Sequence, residues 1–454
     1  MTALKIQKRL FGTNGVRGVA GKDLTPELVF SIGKALGHMR KGRIAVGRDT
    51  RTSGETLGKA LKAGLLATGC DVDDCGILPI PALQFLVRDG YDGGAMITAS
   101  HNPPEYNGVK IIEPDGTEMG DEETLQLEEL IFGPELPVVT WEKAGQEQQV
   151  PHLIERYVEG ILHHFPGSPG KGMTVVVDPG SGPACITTPK ILTRLGCRVL
   201  TVNGVMDGTF PGRLPEPSVE GLKNLADLVI SSGASFGVAH DGDADRAVFI
   251  DENGQFIEEN AEFAIVAQNI CRQKKGVIVT PVSSGQVIEE TVRREGSTIQ
   301  YTPVGSIYVA RTMRNLIEKG ETVIFGGEGN GGLIFPDHQF CRDGGMTAAM
   351  MVSLLAGSKK TLSELARELP ERHIIKDKIA ATKGAEILAL LPAHYPDSRI
   401  DMTDGVKIFT KDAWALVRAS GTEPIIRIIV DAKSPSAGTA LYRDVKIRLK
   451  TIAR

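Results

Sequence analysis

The stretch from Thr98 to Lys110 brings together residue types that carry out covalent and acid–base chemistry. It reads Thr-Ala-Ser-His-Asn-Pro-Pro-Glu-Tyr-Asn-Gly-Val-Lys and follows the apolar run 95–97. An apolar strand that ends in Asn, Pro and Gly predicts a rigid loop, so we expect the Ser100 hydroxyl to be exposed and held in place. His101 could then supply a base and Lys110 a cation. Ser-His also fits an ordinary surface turn, so this segment alone leaves both interpretations open.

A second segment, Asp-Gly-Asp-Ala-Asp-Arg at 241–246, has three carboxylates at alternating positions. Apolar runs on both sides predict a turn between two strands. Carboxylates this close repel one another unless a cation binds them, and such hard oxygen ligands suit Mg²⁺ or Ca²⁺. An EF-hand loop that began at Asp241 would end correctly at Glu252, but its sixth position needs glycine and is Arg246 here. A metal site and a solvated acidic turn remain as interpretations. The candidate ligands are Asp241, Asp243 and Asp245.

Three further segments could contact a phosphorylated ligand. The run Arg-Ala-Ser-Gly-Thr-Glu-Pro at 418–424, with Arg427 beyond it, combines hydroxyl and guanidinium groups and could hold a phosphate or form an ordinary hairpin turn. The run Gly-Gly-Glu-Gly-Asn-Gly-Gly at 326–332 lacks the spacing of a P-loop or of a dinucleotide fingerprint, but its Glu and Asn could hydrogen-bond sugar hydroxyls. A Gly-rich loop at 11–18 carries Arg17, a possible anion contact.

Hydrophobic periodicity predicts the elements that position these segments. Short apolar runs alternate with helical patterns, which indicates an α/β fold with mixed or mainly parallel sheets. Predicted strands are 43–46, 92–98, 174–178, 198–202, 277–281 and 298–301, and predicted helices are 24–38, 56–68, 188–195 and 284–294. After about residue 370, strands at 413–418 and 425–430 and a helix at 437–452 predict a smaller α+β domain. The predicted domains are 1–150, 151–253, 254–370 and 371–454.

Length and composition limit the classes of function. The chain has 454 residues, a net charge of −5 and 41% hydrophobic residues. This charge argues against nucleic acid or an anionic membrane as the main partner. No apolar run is long enough to span a bilayer, and the first residues lack a signal-peptide core. The six cysteines are scattered without a C-x-x-C pair, as expected of reduced thiols, so we predict a cytoplasmic protein.

Together, the five segments resemble the α-D-phosphohexomutase family, in which they occur in this order over essentially the whole chain. The resemblance is closest to archaeal-type phosphoglucosamine mutases, a group that overlaps phosphomannomutases and phosphoglucomutases. It implies three related α/β domains and a C-terminal α+β domain in a heart-shaped arrangement around a central cleft. It also implies an isomerase that interconverts glucosamine 6-phosphate and glucosamine 1-phosphate, a monomer or homodimer whose partners are hexose or hexosamine phosphates.

The same resemblance assigns cofactors and residue roles. Ser100 matches the serine that bears the phosphoryl group, which passes to the sugar and gives a bisphosphate intermediate that also serves as activator. One Mg²⁺ per subunit is expected, and its protein-derived ligands are Asp241, Asp243, Asp245 and a phosphoryl oxygen on Ser100. Residues expected near the phosphoserine, in proton handling or charge stabilisation, are Arg17, His101, Lys110 and Arg246. Residues expected to bind substrate are Glu328 and Asn330 in the sugar loop and Arg418, Ser420, Gly421, Thr422 and Arg427 at the distal phosphate.

Two other functions remain open, and so does the sugar. One is a metal-dependent phosphohydrolase in which Asp241 is the nucleophile and Ser100 only binds; the other is a non-catalytic sugar-phosphate sensor. Many relatives carry Ser and His where this chain has Asn330 and Gly332, and some carry two histidines where it has Arg213 and Leu214. Both differences bear on the choice among glucosamine, mannose and glucose phosphates.

Overall fold

The computed structural model describes residues 9–12, 15–419 and 425–453. Contacts divide these residues into two compact units. The first contains the described residues up to Glu258 together with Gly331–Leu365, and the second contains Glu259–Asn330 and the described residues from Ala366 onward. The predicted phosphate-binding residues Ser420, Gly421 and Thr422 lie outside the described part of the chain.

The first unit begins with a mixed six-stranded sheet of order β1-β5-β4-β2-β3-β6. Its strands are β1 (Val16–Val19), β2 (Arg43–Arg48), β3 (Asp71–Ile77), β4 (Gly93–Ile97), β5 (Tyr106–Ile112) and β6 (Glu147–Gln149). Its helices are α1 (Pro26–Arg40), α2 (Gly54–Leu66), α3 (Ile80–Val87) and α4 (Asp121–Phe132). Strand β2 is parallel to both β3 and β4, so the carboxyl ends of β2 and β4 lie at one edge of the sheet.

Local sequence explains how this sheet acquires its covering helices. Thr25 caps α1 by accepting a hydrogen bond from the Leu28 amide, and Pro26 occupies the first turn. Helices α1 and α2 pack closely because Gly33 and Gly64 lack side chains; a Cβ on Gly33 would lie 2.2 Å from the Leu61 carbonyl oxygen. The helix predicted at 24–38 is confirmed, with observed bounds of Pro26–Arg40.

A five-stranded sheet of order β11-β10-β9-β7-β8 follows in the same unit. Its strands are β7 (Thr174–Asp178), β8 (Arg198–Thr201), β9 (Phe236–His240), β10 (Ala247–Asp251) and β11 (Phe256–Ile257), with helices α5 (Ile154–Leu162), α6 (Thr188–Arg194) and α7 (Lys223–Ser232). Strands β9 and β10 form an antiparallel pair whose connection is the acidic segment 241–246. This confirms the predicted turn between two strands.

The second unit contains a parallel arrangement of strands in the order β13-β12-β14. Its elements are α8 (Glu259–Gln273), β12 (Val277–Pro281), α9 (Gln286–Arg294), β13 (Thr298–Thr302), α10 (Ser306–Glu318) and β14 (Val323–Glu328). Strand β15 (Gly332–Ile334) and helix α11 (Gly344–Ser358) belong to the first unit, and α12 (Leu362–Arg367) extends across the division at Leu365.

The C-terminal part of the second unit is an antiparallel sheet of order β16-β20-β19-β18-β17. Its elements are β16 (His373–Ala380), α13 (Gly384–Leu390), β17 (Arg399–Asp401), β18 (Val406–Phe409), β19 (Ala413–Ala419), β20 (Ile425–Ala432) and α14 (Pro435–Ile452). One face of the sheet forms a hydrophobic core with α13 and α14. Among the described residues, no helix combines the length and apolar character needed to cross a membrane.

Candidate active site

Ser100 lies in the loop between β4 and β5, in the left-handed backbone region with φ of 52°. Its Oγ donates a hydrogen bond of 2.9 Å to Asp241 Oδ2 and lies 3.4 Å from His101 Nδ1. The predicted exposure is wrong, because Ser100 is only 1% exposed. The acidic turn packs against it closely enough that a Cβ on Gly242 would lie 2.3 Å from the Ser100 carbonyl oxygen. A left-handed non-glycine residue of this kind is typical of functional loops.

Arg51, which the sequence analysis did not select, holds the serine loop in shape. Its guanidinium is completely buried and is paired with Asp49 at 3.1 Å. It donates to four carbonyl oxygens of the loop, those of Ser100 (2.8 Å), Asn102 (2.6 Å), Pro103 (2.5 Å) and Tyr106 (2.9 Å). Burial raises the pKa of Asp49 to about 6, although Arg51 opposes this shift. The sequence did carry one signal for this pair: Asp49 and Arg51 lie within three residues of the carboxyl end of β2, which is next to β4 in the sheet. Functional residues often lie at this edge of an α/β sheet.

The three aspartates of the acidic turn are buried together. They are Asp241, Asp243 and Asp245, and one oxygen from each lies within 4.8 Å of the others. The Lys110 ammonium lies 2.9 Å from Asp243 Oδ2 and 3.6 Å from Asp245 Oδ2. Burial alone would raise the pKa of Asp243, but Lys110 holds it well below its ordinary value, whereas burial leaves the pKa of Asp245 raised. The structure thus brings together the predicted serine, the predicted ligands and Lys110.

The donor set of this turn fits a divalent cation. Within the described residues, Asp243 Oδ1 and Asp245 Oδ1 are buried and have no hydrogen-bond donor. A buried carboxylate oxygen without a partner is costly, and oxygen atoms are the ligands that Mg²⁺ prefers. The Asp241 carboxylate faces Ser100 as well, so a phosphoryl group on that serine would lie next to the same cluster.

Further guanidinium groups border the cluster. Arg246 Nε lies 3.1 Å from Asp241 Oδ2, and Arg17 Nη1 donates to Asn102 Oδ1 in the serine loop at 2.9 Å. Arg342, which sequence reasoning missed, lies 2.5 Å from Asp245 Oδ2. Nothing in the local sequence of Arg342 distinguishes it from a surface arginine, because its role arises from a contact with a distant turn. These cations can stabilise negative charge on a transferring phosphoryl group.

Glu216 is a second residue that the sequence analysis did not select. Its carboxylate binds the Arg246 guanidinium through two hydrogen bonds of 3.0 and 2.9 Å, and its Oε2 lies 3.9 Å from His101 Nδ1. Burial alone would raise the pKa of Glu216, but Arg246 keeps it below its ordinary value. Partial burial of His101, whose side chain is 45% exposed, lowers its pKa to about 4, and Arg246 adds to the effect, so the imidazole is neutral near pH 7. Glu216 therefore binds Arg246 directly and lies beside His101, beyond hydrogen-bond distance.

Arg213, which precedes Glu216 in the same loop, faces the protein interior. Its guanidinium donates to Asp178 Oδ2 at 2.9 Å and to the His240 carbonyl oxygen at 2.6 Å. The backbone at Gly180 lies so close to this guanidinium that a Cβ on Gly180 would be 2.7 Å from Arg213 Nη2. Arg213 thus anchors the loop that contains Glu216 to the ends of β7 and β9 within the first unit.

The remaining predicted residues belong to the second unit. Glu328 ends β14, and with Asn330 it lines a cavity of about 250 Å³ that Lys376 and Trp414 also line. Arg418 pairs with Asp404 at 2.7 Å. Arg427 on β20 lies opposite Arg418 on β19. These residues form two groups, one at the cavity and one on the C-terminal sheet.

Comparison with known proteins gives matches along almost the whole chain. Residues 8–136, 155–254 and 258–373 match the phosphoglucomutase/phosphomannomutase alpha/beta/alpha domains I, II and III, and 365–446 match the C-terminal domain of the same proteins. The chain belongs to the phosphoglucomutase/phosphomannomutase family. This membership confirms the predicted family and the predicted fold class, in which three α/β domains precede a C-terminal α+β domain.

Relatives in this phosphoglucomutase/phosphomannomutase family carry more than one name. A phosphoglucomutase/phosphomannomutase of Thermococcus kodakarensis is 46% identical, over 97% of this chain and 98% of its own. A probable phosphoglucosamine mutase of Methanopyrus kandleri is 41% identical over 94% of both chains, and a phosphoglucosamine/phosphogalactosamine mutase of Sulfurisphaera tokodaii is 39% identical over 96% and 98%. The structure of a family protein from Burkholderia thailandensis has a TM-score of 0.86, with 26% identity and 97% of both chains covered.

Proposed function

We propose that this protein is a phosphoglucosamine mutase that interconverts glucosamine 6-phosphate and glucosamine 1-phosphate through a phosphorylated Ser100. The observation that carries the proposal is the buried hydrogen bond of 2.9 Å between Ser100 Oγ and Asp241, inside a cluster of three aspartates bordered by cations. The names of the Methanopyrus and Sulfurisphaera relatives support the choice of sugar. Phosphomannomutase or phosphoglucomutase activity is the alternative, supported by the name of the Thermococcus relative.

Phosphoryl transfer needs in-line positioning and stabilisation of charge rather than covalent help from many groups. Asp241, Asp243 and Asp245 would hold one Mg²⁺ per subunit, which when bound neutralises charge on phosphoryl oxygens. Lys110, placed 2.9 Å from Asp243, and the nearby guanidinium groups add positive charge around the same oxygens. The neutral imidazole of His101, 3.4 Å from Ser100 Oγ, is available to accept a proton.

The proposed reaction has two transfers at one serine. In the first, the bond between phosphorus and Ser100 Oγ breaks, a bond to the free sugar hydroxyl forms, and the proton of that hydroxyl passes to a base. The product is the sugar bisphosphate, which also serves as activator. In the second, the phosphoryl group at the other end of the sugar returns to Ser100, and the sugar oxygen regains a proton.

Substrate contacts are proposed for two groups in the second unit. Glu328 and Asn330 would bind sugar hydroxyls, and Arg418, Arg427 and the segment Ser420–Thr422 would bind the phosphate that is not transferred. Hexose or hexosamine phosphates are the proposed partners. The monomeric or homodimeric state and the cytoplasmic location stay predictions.

Parallel kinetics on glucosamine, mannose and glucose phosphates test the choice of sugar. We expect kcat/KM to be highest for glucosamine phosphates, by about tenfold or more, because the Glu328 carboxylate lines the cavity and is only 7% exposed. A hydrogen bond to a charged group in such surroundings contributes ~1.5–3 kcal/mol. The variant Glu328→Gln should reduce kcat/KM for all three sugars and reduce it most for glucosamine phosphates. A wild-type preference for mannose or glucose phosphate would contradict the assignment, and release of inorganic phosphate without mutase product would favour a phosphohydrolase.

The variant Glu216→Gln tests whether Glu216 positions the Arg246 guanidinium beside the serine loop. Loss of the charged two-point contact should lower kcat about three- to tenfold and change KM for the sugar phosphate by less than about twofold, since the carboxylate acts on groups beside Ser100. The matched control is Glu220→Gln, an exposed glutamate four residues further along the chain. Equal effects in the two variants, or an effect confined to KM, would contradict this positioning role.

A further inference from the structure

Three cations occupy one row across the C-terminal sheet. The register places Lys378 of β16 opposite Arg427 of β20, and Arg427 opposite Arg418 of β19. Side chains of directly paired residues project from the same face of a sheet. The row therefore brings an ammonium and two guanidinium groups together on three adjacent strands, and two of these strands, β19 and β20, precede and follow the segment 420–424 in the sequence.

The face that carries this row lies opposite the hydrophobic core. Ile426 and Ile428 on β20 and Val417 on β19 are buried in the core with α13 and α14, so the residues that alternate with them point away from those helices. Arg427 and Lys378 are exposed accordingly, and Arg418 is partly exposed. Asp404 pairs with Arg418 at 2.7 Å and offsets one of these charges. Like charges placed directly opposite each other are destabilising, so the positive charge that remains along the row favours binding of an anion.

The same face connects the row to the cavity in the second unit. Lys376 lies two residues before Lys378 on β16, about 7 Å along the strand at roughly 3.4 Å per residue. Lys376 lines the cavity that Glu328 and Asn330 also line. A ligand with hydroxyls at one end and a phosphate at the other could therefore contact the cavity and the row together.

We propose that Lys378 is a further phosphate-binding residue, which acts with Arg418 and Arg427 on the ester phosphate of the sugar substrate. The inference rests on the proposed function for the identity of the sugar, but the anion-binding row itself does not. Lys378 supplies a compact charge on a flexible stem beside two planar guanidinium groups, so it can follow a phosphate whose ester oxygen differs between the two sugar phosphates.

Binding to a variant that cannot turn over tests the proposal without relying on catalysis. In a Ser100→Ala background, the Kd of glucosamine 6-phosphate is measured by calorimetry with and without Lys378→Gln. We expect Lys378→Gln to raise this Kd about five- to tenfold, as loss of one charge-assisted contact implies. Lys378→Arg should keep the Kd within about twofold. The matched control is Lys450→Gln on α14, which covers the opposite face.

Kinetics in the Ser100 enzyme give the second readout. Lys378→Gln should raise KM for the sugar phosphates by a similar factor and leave kcat within about twofold, and it should reduce the salt dependence of KM. An unchanged Kd and KM, or equal changes in the Lys450 variant, would overturn the proposal. If the wild type turned over none of the sugar phosphates while Lys378→Gln still weakened binding of glucosamine 6-phosphate, the proposed function would fail and the role of Lys378 would stand.

Discussion

Replacement of Ser100 by alanine is expected to lower kcat/KM by about 10⁴-fold or more. Loss of a nucleophile that forms a covalent intermediate typically has an effect of this size. The hydrogen bond to Asp241 fixes the position of the hydroxyl, and within the described part of the chain no other hydroxyl donates to that carboxylate. Intact-mass spectrometry of freshly purified active enzyme should show one added phosphoryl group, and peptide analysis should place it on Ser100.

The control for this variant is Ser231→Ala, an exposed serine on α7. It should keep full activity and any phosphoryl group should remain on Ser100. Turnover by Ser100→Ala at the wild-type rate would contradict the mechanism. An acid-labile phosphoryl group on Asp241, with Ser100 unmodified, would instead support the phosphohydrolase alternative.

Replacement of Asp243 by asparagine is expected to have two effects of different origin. Activity with Mg²⁺ should fall by at least about 10³-fold, since the site loses an anionic ligand and the charge that positions Lys110. The free energy of unfolding should also fall by about 3 kcal/mol in the presence of a chelator, because Lys110 is left buried without its nearest carboxylate. Asp245, 3.6 Å from the same ammonium, limits this loss. Urea unfolding and Mg²⁺ titration of activity measure the two effects.

Two comparisons separate these effects. The control Asp227→Asn, on the exposed surface of α7, should change neither stability nor Mg²⁺ dependence. Adding Lys110→Met to Asp243→Asn should recover part of the lost stability, since the uncompensated charge is removed, but should not recover activity. A stable Asp243→Asn variant with wild-type activity at low Mg²⁺ would contradict the proposed metal site.

The elements that depend on local periodicity could be predicted from the sequence. The acidic turn between β9 and β10 was predictable because two apolar runs flank three alternating carboxylates. The strand predicted at 174–178 has the observed bounds, and the helix predicted at 437–452 begins at Pro435, two residues earlier, where Ser434 caps it. In both cases the information lies within a few neighbouring residues.

Features created by contacts between distant segments could not be predicted. The burial of Ser100 results from Gly242 and its turn, and the support of the serine loop comes from Arg51 in the segment between β2 and α2. The position of Glu216 beside the serine loop depends on its hydrogen bonds to Arg246, which is distant in the sequence. The row that contains Lys378 depends on strand register, which the hydrophobic pattern of a single strand does not determine.

The four carbonyl contacts of Arg51 have a consequence for the direction of the reaction. A loop tied by one buried guanidinium at four points has little freedom to follow its substrate. For a mutase that acts at Ser100, both phosphoryl transfers then occur at the same fixed Oγ atom, whichever carbon of the sugar carries the transferred phosphate. Forward and reverse turnover share the same protein surroundings at the reacting atom. The equilibrium ratio of the two sugar phosphates is a property of the sugars alone, and the same fixed loop serves the reaction in both directions.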